Sequence, residues 1–179
     1  SLTYVLYAAL VVASWYLLRP NLGPMAADGQ GETKAEPTAS GKKVYGQWLL
    51  LSCLPSAFLL AVTNYIALEV GSFPLVWILP LALYLGSFIV TFRTGGGVPR
   101  FLRNLWPEIL LAGLLMFLVG PVHWLAILGH LAVFFLVCLV SHGTLYELRP
   151  PASHLTNFYL TSALGGWIGG ALISLGAPF

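Results

Sequence analysis

The segment GSFPLVWILPLALYLGSFIVTF, residues 71–92, contains no charged side chain. A helix needs about 20 such apolar residues to cross the hydrocarbon core of a bilayer. Similar runs recur along the chain, which is 58% hydrophobic and 8% charged, whereas a soluble domain carries about 25% charged residues. A soluble core cannot hide this much apolar surface. The sequence therefore predicts an all-α, polytopic integral membrane helix bundle.

Charged segments and glycine-proline breaks divide the apolar sequence into about six candidate transmembrane helices. They are 2–18, 48–68, 73–92, 107–120, 122–141 and 155–175. The fourth and fifth are divided at Gly120-Pro121, because their joint run is too long for one span and Pro121 suits the first turn of a new helix. A five-span arrangement remains open if this pair forms a re-entrant hairpin.

Residues 19–47 are rich in Gly, Pro, Ala and charge and show no apolar period, which predicts a flexible cytoplasmic linker. The chain is thus expected to comprise a first transmembrane helix, 1–18, this linker, and a five-helix membrane bundle, 48–179. Ser1 lies at the start of an apolar run without a Met or a basic segment before it. This start is typical of a fragment or a processed product rather than of a signal peptide.

Arginine and lysine residues occur only in alternate connections between the candidate spans. They are Arg19, Lys34, Lys42, Lys43, Arg93, Arg100, Arg103 and Arg149. Because positive loops stay in the cytoplasm, these connections are predicted inside, with Ser1 and Phe179 on the outer side of a multi-pass protein. The net charge of +2 is too small to indicate nucleic acid as a partner. The expected partners are the lipid bilayer and other membrane protein subunits.

Two prolines fall inside predicted spans. Pro55 and Pro80 each remove a backbone donor, so each is expected to kink its helix and leave a carbonyl one turn earlier without its usual partner. Pro74 differs, because Ser72 can cap the third helix and Pro74 can occupy its first turn. Two kinked neighbours can enclose a cavity, but the commoner role of such prolines is to shape the bundle.

The last span contains a double glycine pattern in ALGGWIGGALISLG. Gly165 and Gly169 are four residues apart, as are Gly166 and Gly170. Small residues at this spacing allow two helix backbones to approach closely. The pattern predicts tight packing, either against another helix of the same chain, which is the favoured interpretation, or against a second chain.

Polar side chains in the second and sixth spans are candidates for a polar pocket. They are Asn64, Tyr65, Glu69, Asn157 and Thr161. Tyr65 and Glu69 are four residues apart and share a helix face, as do Asn157 and Thr161. The simpler alternative is that these groups form hydrogen bonds between helices.

His130 is expected to lie within the membrane, where ionisable groups are costly and often functional. Its imidazole could bind the metal of a haem or chlorophyll, relay a proton, or form a hydrogen bond with a neighbouring helix, and the last is favoured. No metal site is predicted and no cofactor is expected, since no spacing supplies a second ligand. His123, seven residues earlier, is assigned to the membrane interface.

No catalytic motif is evident in the sequence. The glycine-rich TGGGVP at Thr94 follows a span and does not open a phosphate-binding helix. Ser141, His142 and Glu147 are close in sequence, but nothing builds a nucleophile site around them. The two cysteines, Cys53 and Cys138, lie inside apolar runs, so a disulfide framework is not expected.

Two long stretches resemble a known family. The segment PSAFLLAVTNYIALEVGSFPLVWILPLALYLGSFIVTF is similar to the membrane region of bacterial spermidine synthase-like proteins, also described as fused major-facilitator/spermidine synthase proteins. HLTNFYLTSALGGWIGGALISLGAPF resembles the segment that closes that region. The resemblance covers most of the chain from Trp48 onward and implies a module of the bacterial inner (cytoplasmic) membrane. The aminopropyltransferase domain of such proteins has no counterpart in this sequence, so no catalytic residue carries over.

Three functions are compatible with these features. The favoured prediction is a non-catalytic membrane subunit or scaffold that packs within a larger membrane assembly. One alternative is a transporter-like module for a small organic solute, with its cavity near Pro55, Pro80 and Asn64. The other is a subunit that carries haem or chlorophyll on His130.

Overall fold

The computed structural model describes residues 40–70, 78–93 and 124–176. It also describes isolated residues outside these ranges: Val12, Leu75, Trp77, Leu102, Asn104, Leu105, Glu108, Ile109, Leu111, Ala112 and Leu115. Within these parts of the chain all regular structure is helical. The predicted first span and most of the predicted fourth span lie outside the described residues.

Four α-helices form the described bundle. They are α1, Ser40–Val70; α2, Ile78–Arg93; α3, Trp124–Glu147; and α4, Leu155–Gly176, which follows a short 3₁₀ turn at Ala152–His154. Three helices are long and apolar enough to cross a membrane, namely Val44–Leu68, Trp124–Glu147 and Ala152–Gly176. Helix α2 is apolar but shorter, with 16 residues. The prediction of an all-helical membrane protein is therefore confirmed for the described residues. These residues do not show the predicted number of six spans.

Two helices extend beyond their predicted limits. Helix α1 begins at Ser40, so residues 40–47 are helical rather than part of the flexible linker. Helix α3 continues through Glu147, six residues past the predicted end at Ser141. The sequence beyond Ser141 contains no proline before Pro150, so nothing in it stops the helix earlier. Helix α4 matches its predicted span.

The two prolines differ in their positions. Pro55 lies inside α1, as predicted, and is fully buried. Pro80 is the third residue of α2, because that helix begins at Ile78 and not near Phe73. The first turn of a helix has no intrahelical acceptors for its N–H groups, so a proline there removes no hydrogen bond. Pro80 therefore lies in the first turn of α2 rather than inside the span, where the sequence placed it.

Residue contacts set the directions of the helices. Helices α1 and α3 are antiparallel, because Trp48 donates its indole N–H to Leu148 (3.0 Å) while Tyr65 stacks on His130. Helices α2 and α3 are parallel, because Phe88 contacts His142 and, one turn later in both helices, Phe92 contacts Tyr146.

Helix α4 runs parallel to α1. Gly165 faces Leu49, and Gly169 faces Cys53 one turn further along both helices. The start of α1, the end of α2, the end of α3 and the start of α4 therefore meet at one end of the bundle, which we call the Arg149 end. The opposite end, at the start of α3, is the Trp124 end.

The core is apolar and lies mainly between α1, α3 and α4. Its fully buried members include Phe58 and Val62 of α1, Phe134 of α3, and Phe158 and Ile173 of α4. Large apolar side chains also cover the outside of α2, α3 and α4, among them Leu81, Leu125 and Leu164. This outer surface suits hydrocarbon, in which an apolar exterior has no solvation penalty.

Candidate functional site

The glycine pattern of α4 forms a seam with α1. A side-chain carbon on Gly165 would collide with the carbonyl oxygen of Leu49, and one on Gly169 with the carbonyl oxygen of Cys53. The two backbones are thus in direct contact over one helical turn. Such close approach permits Cα–H···O contacts and is the geometry expected of small residues four apart.

The second glycine pair lies beside this seam. An added side-chain carbon at Gly166 would meet the hydroxyl oxygen of Ser56 at 3.2 Å, and one at Gly170 would meet Leu60 Cδ1 at 3.6 Å. These distances are to side-chain atoms rather than to backbone. Among the four predicted packing residues, Gly165 and Gly169 therefore make the closest contacts, and they make them within the chain.

The predicted polar pocket does not form from the described residues. Asn157 lies at the Arg149 end, where its amide donates to the Tyr45 hydroxyl (3.4 Å), and Thr161 donates back to the Asn157 carbonyl (2.7 Å). Asn64 follows Tyr45 by 19 positions, which places it about 28 Å further along α1, near the Trp124 end. The parallel course of α1 and α4 separates the two groups. The side chain of Glu69 lies outside the described residues.

His130 is buried and contacts Tyr65, which the sequence assigned to the polar pocket. The two rings stack with centroids 4.5 Å apart, and the imidazole Nδ1 lies 2.7 Å from the Ala126 carbonyl of its own helix. The sequence predicted a hydrogen bond to a neighbouring helix. The structure shows an intrahelical hydrogen bond and, to the neighbouring helix α1, a ring contact. His123 lies outside the described residues.

A second buried imidazole, His142, is the centre of the most connected polar group in the bundle. We call this group the His142 cluster; its members are Ser56, Tyr84, Ser87, Phe88, Cys138 and His142. The imidazole Nδ1 lies 2.9 Å from the Ser87 hydroxyl, and Phe88 stacks on the ring with centroids 3.6 Å apart. The Tyr84 ring packs edge-on against the same imidazole.

Further contacts tie the cluster to all three central helices. The Tyr84 hydroxyl of α2 is 3.4 Å from the Ser56 hydroxyl of α1, and the Ser87 hydroxyl faces the Cys138 thiol of α3. Ser87 and His142 are both almost completely buried. The cluster therefore joins α1, α2 and α3 through side-chain polar contacts inside the bundle.

The hydrogen bond from Ser87 to its own helix favours one tautomer of His142. The Ser87 hydroxyl donates its hydrogen to the Tyr84 carbonyl (2.6 Å), so towards His142 it accepts. A neutral His142 then carries its hydrogen on Nδ1 and a lone pair on Nε2. That Nε2 atom is buried and has no hydrogen-bond partner among the described residues, and the same holds for the Ser141 hydroxyl. Buried polar atoms without partners are costly and often mark sites of function.

The predicted fifth span ended at Ser141, so the sequence placed His142 directly after it. The signal that could have found the cluster is the absence of any Asp, Glu, Lys, Arg or Pro between residues 122 and 146, which allows the helix to continue past His142. Ser87, its partner, follows Gly86 in the middle of α2 and had no distinguishing pattern. A contact between two residues that are 55 positions apart, on different helices, cannot be predicted from sequence spacing.

The cluster has one feature of a metal-binding histidine, which usually donates its second ring N–H to a fixed acceptor. However, the described residues contain no group of three or more histidine, cysteine or acidic side chains close enough to hold a metal ion. Nε2 is also enclosed by protein. The geometry therefore suits a hydrogen-bond acceptor inside the bundle better than an axial ligand.

The Arg149 end carries a group of aromatic and cationic side chains. The guanidinium of Arg149 lies 4.2 Å above the Tyr146 ring, and Tyr146 in turn contacts Phe92 edge-on at 5.1 Å. Exposed Trp124 begins α3 at the other end, about 33 Å from Tyr146 along the helix. Aromatic residues at both ends of a segment of this length match the two interfaces of a bilayer.

Comparison of the chain with protein-family models, curated proteins and solved structures gave no match. The resemblance to the membrane region of spermidine synthase-like proteins therefore stays a prediction.

Proposed function

We propose that this protein is a non-catalytic integral membrane subunit that packs against another membrane protein through the outer face of α4. The observation that carries the proposal is Trp167. This residue lies near the middle of α4, is 71% exposed, and finds no acceptor for its indole N–H among the described residues. It is two positions from Gly165, about 200° around the helix, and so points away from α1.

A tryptophan in this position favours a protein partner over lipid. Hydrocarbon offers no hydrogen-bond acceptor, and for this reason tryptophan concentrates at membrane interfaces rather than at mid-depth. A neighbouring helix could supply a carbonyl or hydroxyl oxygen. Helix α4 also buries the smallest share of its apolar window among the three long helices, 22% against 56% for α1, which leaves room for such a neighbour.

Site-specific photocrosslinking in native membranes tests the proposal. A photoreactive residue in place of Leu164, which is exposed on α4, is expected to give an adduct with a protein of one defined mass. Trp167→Leu should then weaken that adduct. The matched control is Trp124→Leu, because Trp124 is equally exposed but lies at the interface, where water and headgroups accept hydrogen bonds. Adducts with lipid alone would contradict the proposal.

The topology proposed for the whole chain is about six spans in the bacterial inner membrane, with Ser1 and Phe179 outside. Support comes from the parallel course of α2 and α3. Arg93 and Trp124 lie at opposite ends of the bundle, which is the arrangement that a further span between them would give. The described residues between 102 and 115 include helical ones, among them Leu102, which joins the apolar core. The position of Arg93 and Arg149 at one end supports a cytoplasmic location for that end.

A transporter-like module for a small organic solute is the second candidate. The unpartnered Nε2 of His142 and hydroxyl of Ser141 favour it, because ionisable and polar groups inside a membrane often mark solute or proton pathways. This candidate site differs from the cavity predicted near Asn64. Uptake into proteoliposomes that is abolished by His142→Phe, with unchanged thermal stability, would favour transport over the scaffold.

A further inference from the structure

We propose that Arg93 and Arg149 together bind the phosphate of an anionic phospholipid in the leaflet at the Arg149 end. The inference goes beyond the proposed subunit role and depends only on the bundle lying in a membrane. From the sequence, the two arginines predicted only which end of the bundle faces the cytoplasm. The proposal adds a lipid ligand for them.

The two arginines lie at the same end of the bundle. Arg93 is the last residue of α2 and directly follows Phe92, whose ring contacts Tyr146. The guanidinium of Arg149 lies over that same Tyr146 ring at 4.2 Å. Each arginine therefore follows, within three residues, one member of an aromatic pair that joins the ends of α2 and α3, and both arginines are exposed.

Arg149 is held in position before any ligand arrives. Its backbone N–H donates to the Tyr146 carbonyl (3.2 Å), and Pro150 and Pro151 follow it in the short connection to α4. Proline restricts the backbone of this connection, and the ring contact restricts the guanidinium. A preorganised cation loses less conformational freedom when it binds an anion.

The depth of the group indicates a lipid phosphate. The arginines stand where apolar helices end and aromatic rings begin, which is the level of the headgroups. Guanidinium groups bind phosphate oxygens with directional paired hydrogen bonds, and basic residues at this level are attracted to anionic lipids. Glu147, the described acid nearest in sequence, is also exposed and lies two residues from Arg149, so its negative charge opposes the binding of an anion there.

The test measures lipid binding by the purified full chain in a neutral detergent. Native mass spectrometry counts retained phosphatidylglycerol or phosphatidylcholine, and thermal melts follow stabilisation by each lipid and by inorganic phosphate. Phosphatidylglycerol is expected to be retained and to raise the melting temperature, whereas the other two ligands do so weakly. Each arginine should contribute about fivefold to the affinity, so Arg93→Gln/Arg149→Gln should lower it about thirtyfold.

Two further variants separate a defined site from general attraction. Arg93→Lys/Arg149→Lys keeps the net charge but loses the paired hydrogen bonds, so it should bind more weakly than the unchanged protein. Tyr146→Leu should weaken binding through Arg149, while Tyr146→Phe should not. Equal retention by the lysine variant and the unchanged protein would overturn the proposal. So would equal stabilisation by phosphatidylcholine or by inorganic phosphate. If the double glutamine variant does not fold, the single Arg93→Gln variant decides by the same criteria.

Discussion

Replacing Gly169 by alanine should push α4 away from α1. The added carbon would lie against the carbonyl oxygen of Cys53, well inside the 3.0 Å that real side-chain carbons keep, and 3.0 Å and 3.1 Å from the Cys53 carbonyl carbon and Cα. All three atoms belong to the backbone of α1, so no rotamer change can relieve the contact. Gly165→Ala meets the same obstacle at Leu49, with Ser52 Cβ at 3.0 Å. The two helices must therefore separate.

The expected cost follows from overpacking and from the lost backbone contacts. Inserting one carbon into a packed interface typically costs about 1–3 kcal/mol, and each Cα–H···O contact that is lost adds up to about 1 kcal/mol. For a chain of this size, a total loss of about 1–4 kcal/mol corresponds to a melting temperature lower by about 2–16 °C. The double variant should cost less than the sum of the two single changes, because one separation of the helices relieves both contacts.

Thermal unfolding in detergent, followed by circular dichroism, measures the effect. The control is Gly170→Ala, where the new carbon meets only Leu60 Cδ1 at an ordinary 3.6 Å. This change should not lower the free energy of unfolding, because alanine inside a helix is more favourable than glycine by about 0.5–1 kcal/mol. If Gly169→Ala and Gly170→Ala unfold at the same temperature, the seam between α1 and α4 does not hold the bundle together, and the reasoning fails.

Further predictions concern the buried polar groups and the orientation. Ser87→Ala should lower the free energy of unfolding by about 1–2 kcal/mol, since it leaves the Nδ1–H of His142 buried without an acceptor. A conservative change at an exposed position should cost little. Equal melting temperatures of the Ser87→Ala variant and the parent would refute this. A cysteine in place of Ser153 should react with an impermeant thiol reagent only from the cytoplasmic side, and a cysteine in place of Leu75 only from outside. The native cysteines are buried and should give little background. Labelling of the cysteine at position 153 in intact cells would reverse the orientation. Purified protein should show no haem or chlorophyll absorption, and His130→Leu should cost about 1 kcal/mol through its lost polar contact; a tetrapyrrole that disappears with this change would establish the cofactor alternative.

Local patterns predicted the parts of the structure that depend on neighbouring residues in the sequence. The apolar runs gave the helices, and the four-residue spacing of Gly165 and Gly169 gave a close helix contact, because both signals are carried by one segment. Pro80 was misjudged because the start of its helix depends on where the preceding turn ends. The polar pocket failed for another reason: whether Asn64 meets Asn157 depends on the relative direction of two helices, which only their packing decides.

The same limit applies to the His142 cluster. Ser87 has no distinctive neighbours, and its importance arises from a hydrogen bond to a residue 55 positions away. The predicted span ended one residue before His142, so the sequence assigned His142 to a loop. Long-range polar pairs therefore need a structure, whereas helix faces with a regular spacing do not.

The contact between the first and last described helices has a consequence for biogenesis. Trp48 of α1 bonds to Leu148, 100 residues further along, and the glycines of α4 that cover α1 follow later still. At about 5–20 residues per second, Leu49 and Cys53 are synthesised about 6–23 s before the glycines that close the groove above them. During this interval that groove is open to lipid or to an insertion factor. A chain that ends before α4 would thus leave this face of α1 without its partner helix.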